Sequence, residues 1–222
     1  MTSNKDKSQQ EDIFTYKNVT YIMKGGVLYR VNNQDIKIFE TPQYQQINIP
    51  PRYQKLTNYQ YTEFIEQNAK HLKNKIKKFL EDYYHLTDGG FIYIQQNPAH
   101  FLGTALSCML LNDLYLKGQK SLYYTNLYQI TEQTIKNNTD YFALLSHVEV
   151  VVIDNIDKIA KAPALYLKNI LYNFEWLLYN RFMGKLSTIL LSEISFETLI
   201  NIIGADLYNF INTNLKIKLH LE

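Results

Sequence analysis

Cysteine is almost absent from this sequence: Cys108 stands alone in 222 residues. No disulfide framework can form within the chain, which suits a reducing compartment. Cys108 lies on the apolar face of a helical run and reads as a packed thiol before a reactive one. Neither sign of charge dominates, with 23 Lys and Arg against 21 Asp and Glu and a net charge of +2. Strong affinity for a polyanion therefore does not follow from charge alone. No apolar run reaches the roughly 18 residues of a membrane span, and the polar, charged N-terminus is unlike a secretory signal. The expectation is a cytoplasmic protein with no membrane association. His71, His85, His147 and His220 lack metal-ligand spacing, so no metal is expected. His100 reads as a surface-loop residue before a catalytic one. No Ser-His-Asp or Cys-His arrangement follows from order alone.

Hydrophobic residues make up 46% and charged residues 20%, the balance of a globular protein with room for one good-sized domain and a small extra element. Residues 1–11 are polar and charged, a disordered lead-in. Residues 12–40 read as a small β element. Phe14–Tyr16 and Val19–Met23 precede Gly25-Gly26, Val27–Val31 follows, and Ile36–Phe39 forms a third strand. A three-stranded piece of this size cannot bury a core alone. Tyr16, Tyr21, Tyr29 and Phe39 are its candidate partner contacts, being large, fairly rigid aromatic surface. Residues 41–61, with Pro42, Pro50 and Pro51, read as an extended linker. Residues 62–222 form the main domain. Its first helix, from Thr62 to about Tyr84, carries many lysines. That face reads either as solvated surface or as a phosphate-backbone contact, with Lys70, Lys73, Lys77 and Lys78 as the nucleic-acid candidates.

Beyond it, strand and helix patterns alternate. Phe91–Ile94 is a strand and Leu102–Leu116 a helix. Ser121–Thr125 is a strand, followed by helices over Leu127–Lys136 and Tyr141–Leu145. Val148–Asp154 is a continuous apolar strand ending on an acid, and a helix runs from Ala162-Pro163 to about Met183. Trp176 on that helix reads as a packing anchor. Thr188–Ser192 is a strand, Ser195–Ile203 a helix and Leu215–Leu221 a final strand. This order predicts an α/β fold with a mostly parallel sheet flanked by helices. The unit from Gly89 to Gly118 is strand, loop, helix, the place where an open α/β sheet binds phosphate. Such a loop needs glycines, a Lys for the terminal phosphates and a Ser or Thr for magnesium. Here the glycine positions fall on Asn97 and Leu102, the lysine position on Gly103, and only Thr104 matches.

Three segments occur in a telling order: Ile49-Pro50-Pro51-Arg52-Tyr53; the strand-loop-helix ending at Lys117-Gly118 with Ser121–Tyr124; and Phe142–Leu145 leading into Val151–Ile156. Leu178–Arg181 and Gly184–Leu191 continue it. The order resembles the bacterial replicative-helicase loaders of the DnaC/DnaI type and the IstB transposition ATPases, which are AAA+ proteins with a P-loop NTPase-type fold. It is also similar to the initiator-related, Hda-like AAA+ proteins. The resemblance covers roughly Ile49 to Ile211 and lies in pattern more than in invariant residues. It implies that Asn97, Leu102, Gly103 and Thr104 are a degenerate Walker A, and Asp154 and Asn155 a degenerate Walker B whose second acid is lost. The sensor position falls on Ser192 or Glu193, and the arginine expected after Gly204-Ala205-Asp206 is missing. Phosphoryl transfer rests on positioning and electrostatics, and losing these parts together removes it. The expectation is a pseudo-ATPase with no catalytic residues and no cofactor. It would act in DNA replication as a helicase loader or loader accessory, with a replicative helicase or a replication initiator as partner and at most weak single-stranded DNA binding. Two alternatives stay open: a nucleotide-binding switch with an atypical P-loop, and a DNA-binding transposition or phage regulator.

Overall fold

The computed structural model describes the strands within residues 12–39 and residues 47–86, 89–99, 101–119 and 121–221. Its main sheet has five strands, β5 (Gly90–Gln96), β6 (Leu122–Asn126), β7 (Val150–Asp154), β8 (Ser187–Ser192) and β9 (Leu215–Leu221), in the order β6-β7-β8-β5-β9. Every pairing in it is parallel. A parallel sheet needs crossover helices on both faces, which explains why its strands are apolar on both sides. Along β5, Phe91 and Tyr93 pack into one core layer while Ile92 and Ile94 pack into the other. Val151 and Ile153 of β7 alternate with Val150 and Val152 in the same way.

One face is covered by α1 (Asn58–Asn68), α2 (Lys73–Tyr84) and α3 (Leu102–Leu116). The other carries α4 (Leu127–Ile135), α5 (Thr139–His147), α6 (Ala164–Met183), α7 (Ile200–Ile203) and α8 (Ala205–Thr213). The helix expected from Thr62 begins at Asn58 instead. Thr57 accepts from the Gln60 N–H while the Gln60 side chain reaches back to the Thr57 N–H, a capping box that starts the helix four residues early. The expected single helix is also broken at Ala69, whose backbone leaves the helical region before a short 3-10 turn and α2. Within the stretch read as a linker, Ile47 and Ile49 are buried. The Ile47 carbonyl accepts from the Tyr124 N–H at 2.8 Å and Asn48 Nδ2 donates to the Tyr124 carbonyl at 2.9 Å. These contacts close the β6 edge of the sheet.

Arg181 of α6 is wholly buried at the N-terminal ends of β7 and β8. Nε donates to Thr188 Oγ1 at 2.8 Å, and the guanidinium also donates to the carbonyls of Leu145, Val148, Glu149 and Ser187. Burial pulls its pKa down to about 9, so it stays charged at neutral pH. It staples the end of α5, the lead-in to β7 and the start of β8 together.

The N-terminal element is a four-stranded antiparallel sheet, not three strands: β1 (Asp12–Tyr16), β2 (Val19–Lys24), β3 (Val27–Asn32) and β4 (Gln34–Phe39). Asp12–Tyr16 is a strand in its own right, with Tyr16 opposite Val19 and Asp12 opposite Met23. Tyr21 is opposite Arg30, Tyr29 opposite Ile22, and Phe39 opposite Leu28 across a bulge in β4's pairing. The side chains of Tyr16, Tyr21, Tyr29 and Phe39 lie outside the described residues, as does the lead-in 1–11.

Candidate functional site

The C-terminal ends of β5 and β7 and the first turn of α3 meet at one point, and that point is polar in an otherwise apolar interior. β5 does not stop at Ile94; it runs on to Gln96, which is 3% exposed. Gln96 Oε1 accepts from the Thr104 backbone N–H at 2.9 Å. That N–H belongs to the first turn of α3, where helix geometry leaves donors without an internal partner. Phe101 precedes the helix in a left-handed conformation, φ 47° and ψ 28°, and supplies no side-chain cap. The carboxamide of Gln96 therefore takes the acceptor's role that an anion takes at such a helix start.

Thr104 Oγ1 donates to Asp154 Oδ2 at 2.8 Å and accepts from Gln96 Nε2 at 3.2 Å. Tyr124 Oη donates to the same Asp154 oxygen at 2.7 Å, and the Asn155 N–H donates to Oδ1 at 2.7 Å. Burial raises the pKa of the Asp154 carboxyl; the hydrogen bonds from Tyr124, Thr104 and Asn155 oppose that shift. Burial also raises the Tyr124 phenol and, more simply, the Cys108 thiol, which is fully enclosed as a packed side chain.

Gly103 and Gln96 fit each other. A Cβ on residue 103 would stand 2.9 Å from Gln96 Oε1 and 3.1 Å from Ile94 Cγ2, so any side chain there requires Gln96 to move. The loop is likewise committed to itself. Asn97 donates its backbone N–H to the Leu221 carbonyl at 3.2 Å, and its side-chain oxygen accepts from the Ala99 N–H at 2.9 Å. His100 lies outside the described residues. Leu102 is buried against the second core layer.

Asn155 adopts a left-handed conformation, φ 61°, and a 3-10 turn over Ile156–Lys161 follows. On that turn Asp157 Oδ1 accepts from Ser192 Oγ at 3.2 Å and from the Glu193 N–H at 3.1 Å. Lys158 is 2.8 Å from Asp157 and also pairs with Glu193. Ser192 and Glu193 are thus bound into a network with the loop after β7, and Lys158 is spent within it.

A magnesium nucleotide needs N–H groups open to its phosphates, a cation for the terminal oxygens and a hydroxyl for the metal. Here the Thr104 N–H is taken by Gln96, its hydroxyl is given to Asp154, and residue 103 is glycine. The residues present do not fit that group. Among the described residues, no cluster of His, Cys, Asp and Glu could hold a metal ion.

No protein-family profile and no curated protein matches the sequence. Solved structures do match. Domain III of the Thermotoga maritima replication initiation protein DnaA aligns with a TM-score of 0.56 and 14% identity, over 78% of this chain and 68% of that one. DnaI aligns at 0.55 and 16%, over 68% and 85%; the DnaC helicase loader at 0.51 and 12%, over 69% and 89%. The chain thus shares the fold of these helicase loaders and replication initiators, a parallel five-stranded sheet flanked by helices. The chain spans 51% of the replication initiator DnaA structure bound to AMPPCP and single-stranded DNA, which aligns at 0.60.

Gln96, Tyr124, Asp157 and Lys158 did not stand out in the sequence. The available signal was Gln95-Gln96, two amides closing an apolar strand. Three of the four candidate lysines can be placed by their partners or by the groove they line. Lys73 pairs with Glu66, and Lys77 lies 3.8 Å from Glu81. Lys78 falls instead on the stripe with Lys75 that faces β9.

Proposed function

We propose that this chain is a catalytically inactive AAA+-fold protein that acts in DNA replication, as a helicase loader or loader accessory, through protein–protein contacts. One observation carries the inactive reading. Gln96 holds the first-turn N–H and, with Thr104, Asp154 and Tyr124, closes the ring of hydrogen bonds where a nucleotide's phosphates and metal would be bound. The replication role is supported by the fold shared with DnaA, DnaI and DnaC. The partner class is a replicative helicase or an initiator, and the four-stranded N-terminal sheet is the docking element.

Two measurements test this. Isothermal calorimetry with ATP or ADP and magnesium is expected to give no binding; micromolar affinity overturns the inactive reading in favour of a nucleotide switch. In a binding assay with the purified replicative helicase of the source organism, the chain is expected to capture it. The chain from Ile47 onward is expected to keep its melting temperature, because Ile47 and Ile49 anchor it, and to lose capture. Capture by the shortened chain moves the interface to the AAA+ domain; no capture by either rejects the helicase as partner.

A further inference from the structure

The two edges of the main sheet are treated differently. The β6 edge is closed by Ile47 and Asn48. Among the described residues, the β9 edge pairs with nothing beyond β5. Backbone groups of successive strand residues point to alternate sides. The Leu221 carbonyl faces β5, where it accepts from Asn97, so the N–H and C=O groups of Lys218 and His220 face outward. Beside this edge, between β9 and α2, lies a groove of about 510 Å³ walled by Lys75, Lys78, Phe79 and Asp82 of α2 and by His85 just past its end. Among the described residues, Lys75, Lys78 and Lys216 have no acidic partner, while Lys218 pairs with Glu197. Three free cations thus stand against one acid, Asp82. The side chains of β9 alternate, Ile217 and Leu219 toward the α2 layer and Lys218 toward Phe196 on the other. An added strand would meet lysine on both of its faces.

We propose that the β9 edge is a docking site for an extended acidic segment of a partner protein, which adds as a sixth strand with its carboxylates against Lys75, Lys78 and Lys216. Three physical points select this occupant. The outward edge offers donors and acceptors in alternation, which a peptide backbone pairs and a phosphate backbone, having only acceptors there, does not. A second copy of β9 would bring Lys216 and Lys218 against their own kind, which disfavours self-pairing. Lysines also guard exposed edges against indiscriminate pairing; here they discriminate by charge, admitting an acidic strand and repelling a basic one. The site is independent of the nucleotide position and of the helicase reading, and its test does not involve either.

The test is a random ten-residue peptide library displayed on phage, selected on the full chain, with each enriched peptide then titrated by fluorescence anisotropy. The expected peptides alternate Asp or Glu with β-formers and bind at least tenfold more weakly to His220→Pro and to Lys75→Glu/Lys78→Glu. Proline is tolerated on an edge strand where its missing N–H faces outward, and the α2 substitutions are exposed, so one variant stays informative if the other fails to fold by circular dichroism. Four results overturn the proposal. These are no enrichment, enriched peptides without acidic character, equal binding to both folded variants, or an oligo-dT that competes for the same site. Self-association lost in His220→Pro, seen by analytical ultracentrifugation, likewise replaces the acidic segment with a second copy.

Discussion

Replacing Gln96 with Ala removes the acceptor for a buried helix-start N–H and leaves Thr104 and Asp154 short of a donor. A buried donor left without a partner costs about 1–3 kcal/mol, and the vacated side-chain volume adds a cavity term of similar order. The sum is about 3 kcal/mol. For a chain of this length each kcal/mol shifts Tm by roughly 2–4 °C, so Gln96→Ala should melt about 6–12 °C lower by circular dichroism. Gln96→Glu keeps the acceptor but sets a second carboxylate where the amide now lies 3.4 Å from Asp154 Oδ1. Its deficit should be larger at pH 7 and shrink as the pH falls and the pair takes up a proton. The same melts test the nucleotide: a ligand at 100 times its Kd adds about 2.7 kcal/mol, hence several degrees. Millimolar magnesium ATP should move the wild-type melt by less than about 1 °C. A Gln96→Ala melt within about 2 °C of wild type would show that these hydrogen bonds contribute little, and an ATP-stabilised wild type would show that the site opens.

Arg181→Met removes five hydrogen bonds, one to the Thr188 hydroxyl and four to carbonyls, and should cost at least about 3 kcal/mol, since each buried polar group left unpaired costs about 1–3 kcal/mol, read by urea denaturation; a loss below about 1 kcal/mol would refute the staple role. For Asp154 the folded pKa is raised above the ordinary 3.8, so its contribution is fully present below about pH 4 and is lost as pH rises through the folded value. The Tm advantage of wild type over Asp154→Asn should therefore shrink as the pH rises from the ordinary carboxylate value of 3.8; a constant or growing advantage would contradict this. Single-stranded DNA should bind weakly and with steep salt dependence, and Lys73→Glu/Lys77→Glu/Lys78→Glu should abolish it in anisotropy titrations. Undiminished binding in that variant would mean the lysines are only solvated surface.

The sequence alone determined the α/β class. Alternating strand and helix patterns, with Val150–Ile153 apolar without interruption, can only satisfy a parallel sheet covered on both faces. It also singled out the strand, loop and helix from Gly89 to Gly118, because a phosphate-binding loop there requires glycine, lysine and threonine for local chemical reasons and only Thr104 matches. What fills that position was a tertiary matter. Gln96 reads as loop until β5 is seen to extend beneath α3, and Gly103 reads as a defect until its missing Cβ is seen to make room for the amide. The lysines of α2 were legible as a charged run, but their division into Glu66 and Glu81 partners on one stripe and a groove wall on the other depends on the break at Ala69 and on β9. Arg181 looked like one residue in a helical pattern; its enclosure by four carbonyls from three elements exists only once the sheet has assembled. Local periodicity encodes which elements form, whereas hydrogen-bond partners far apart in the chain are fixed only by how those elements pack.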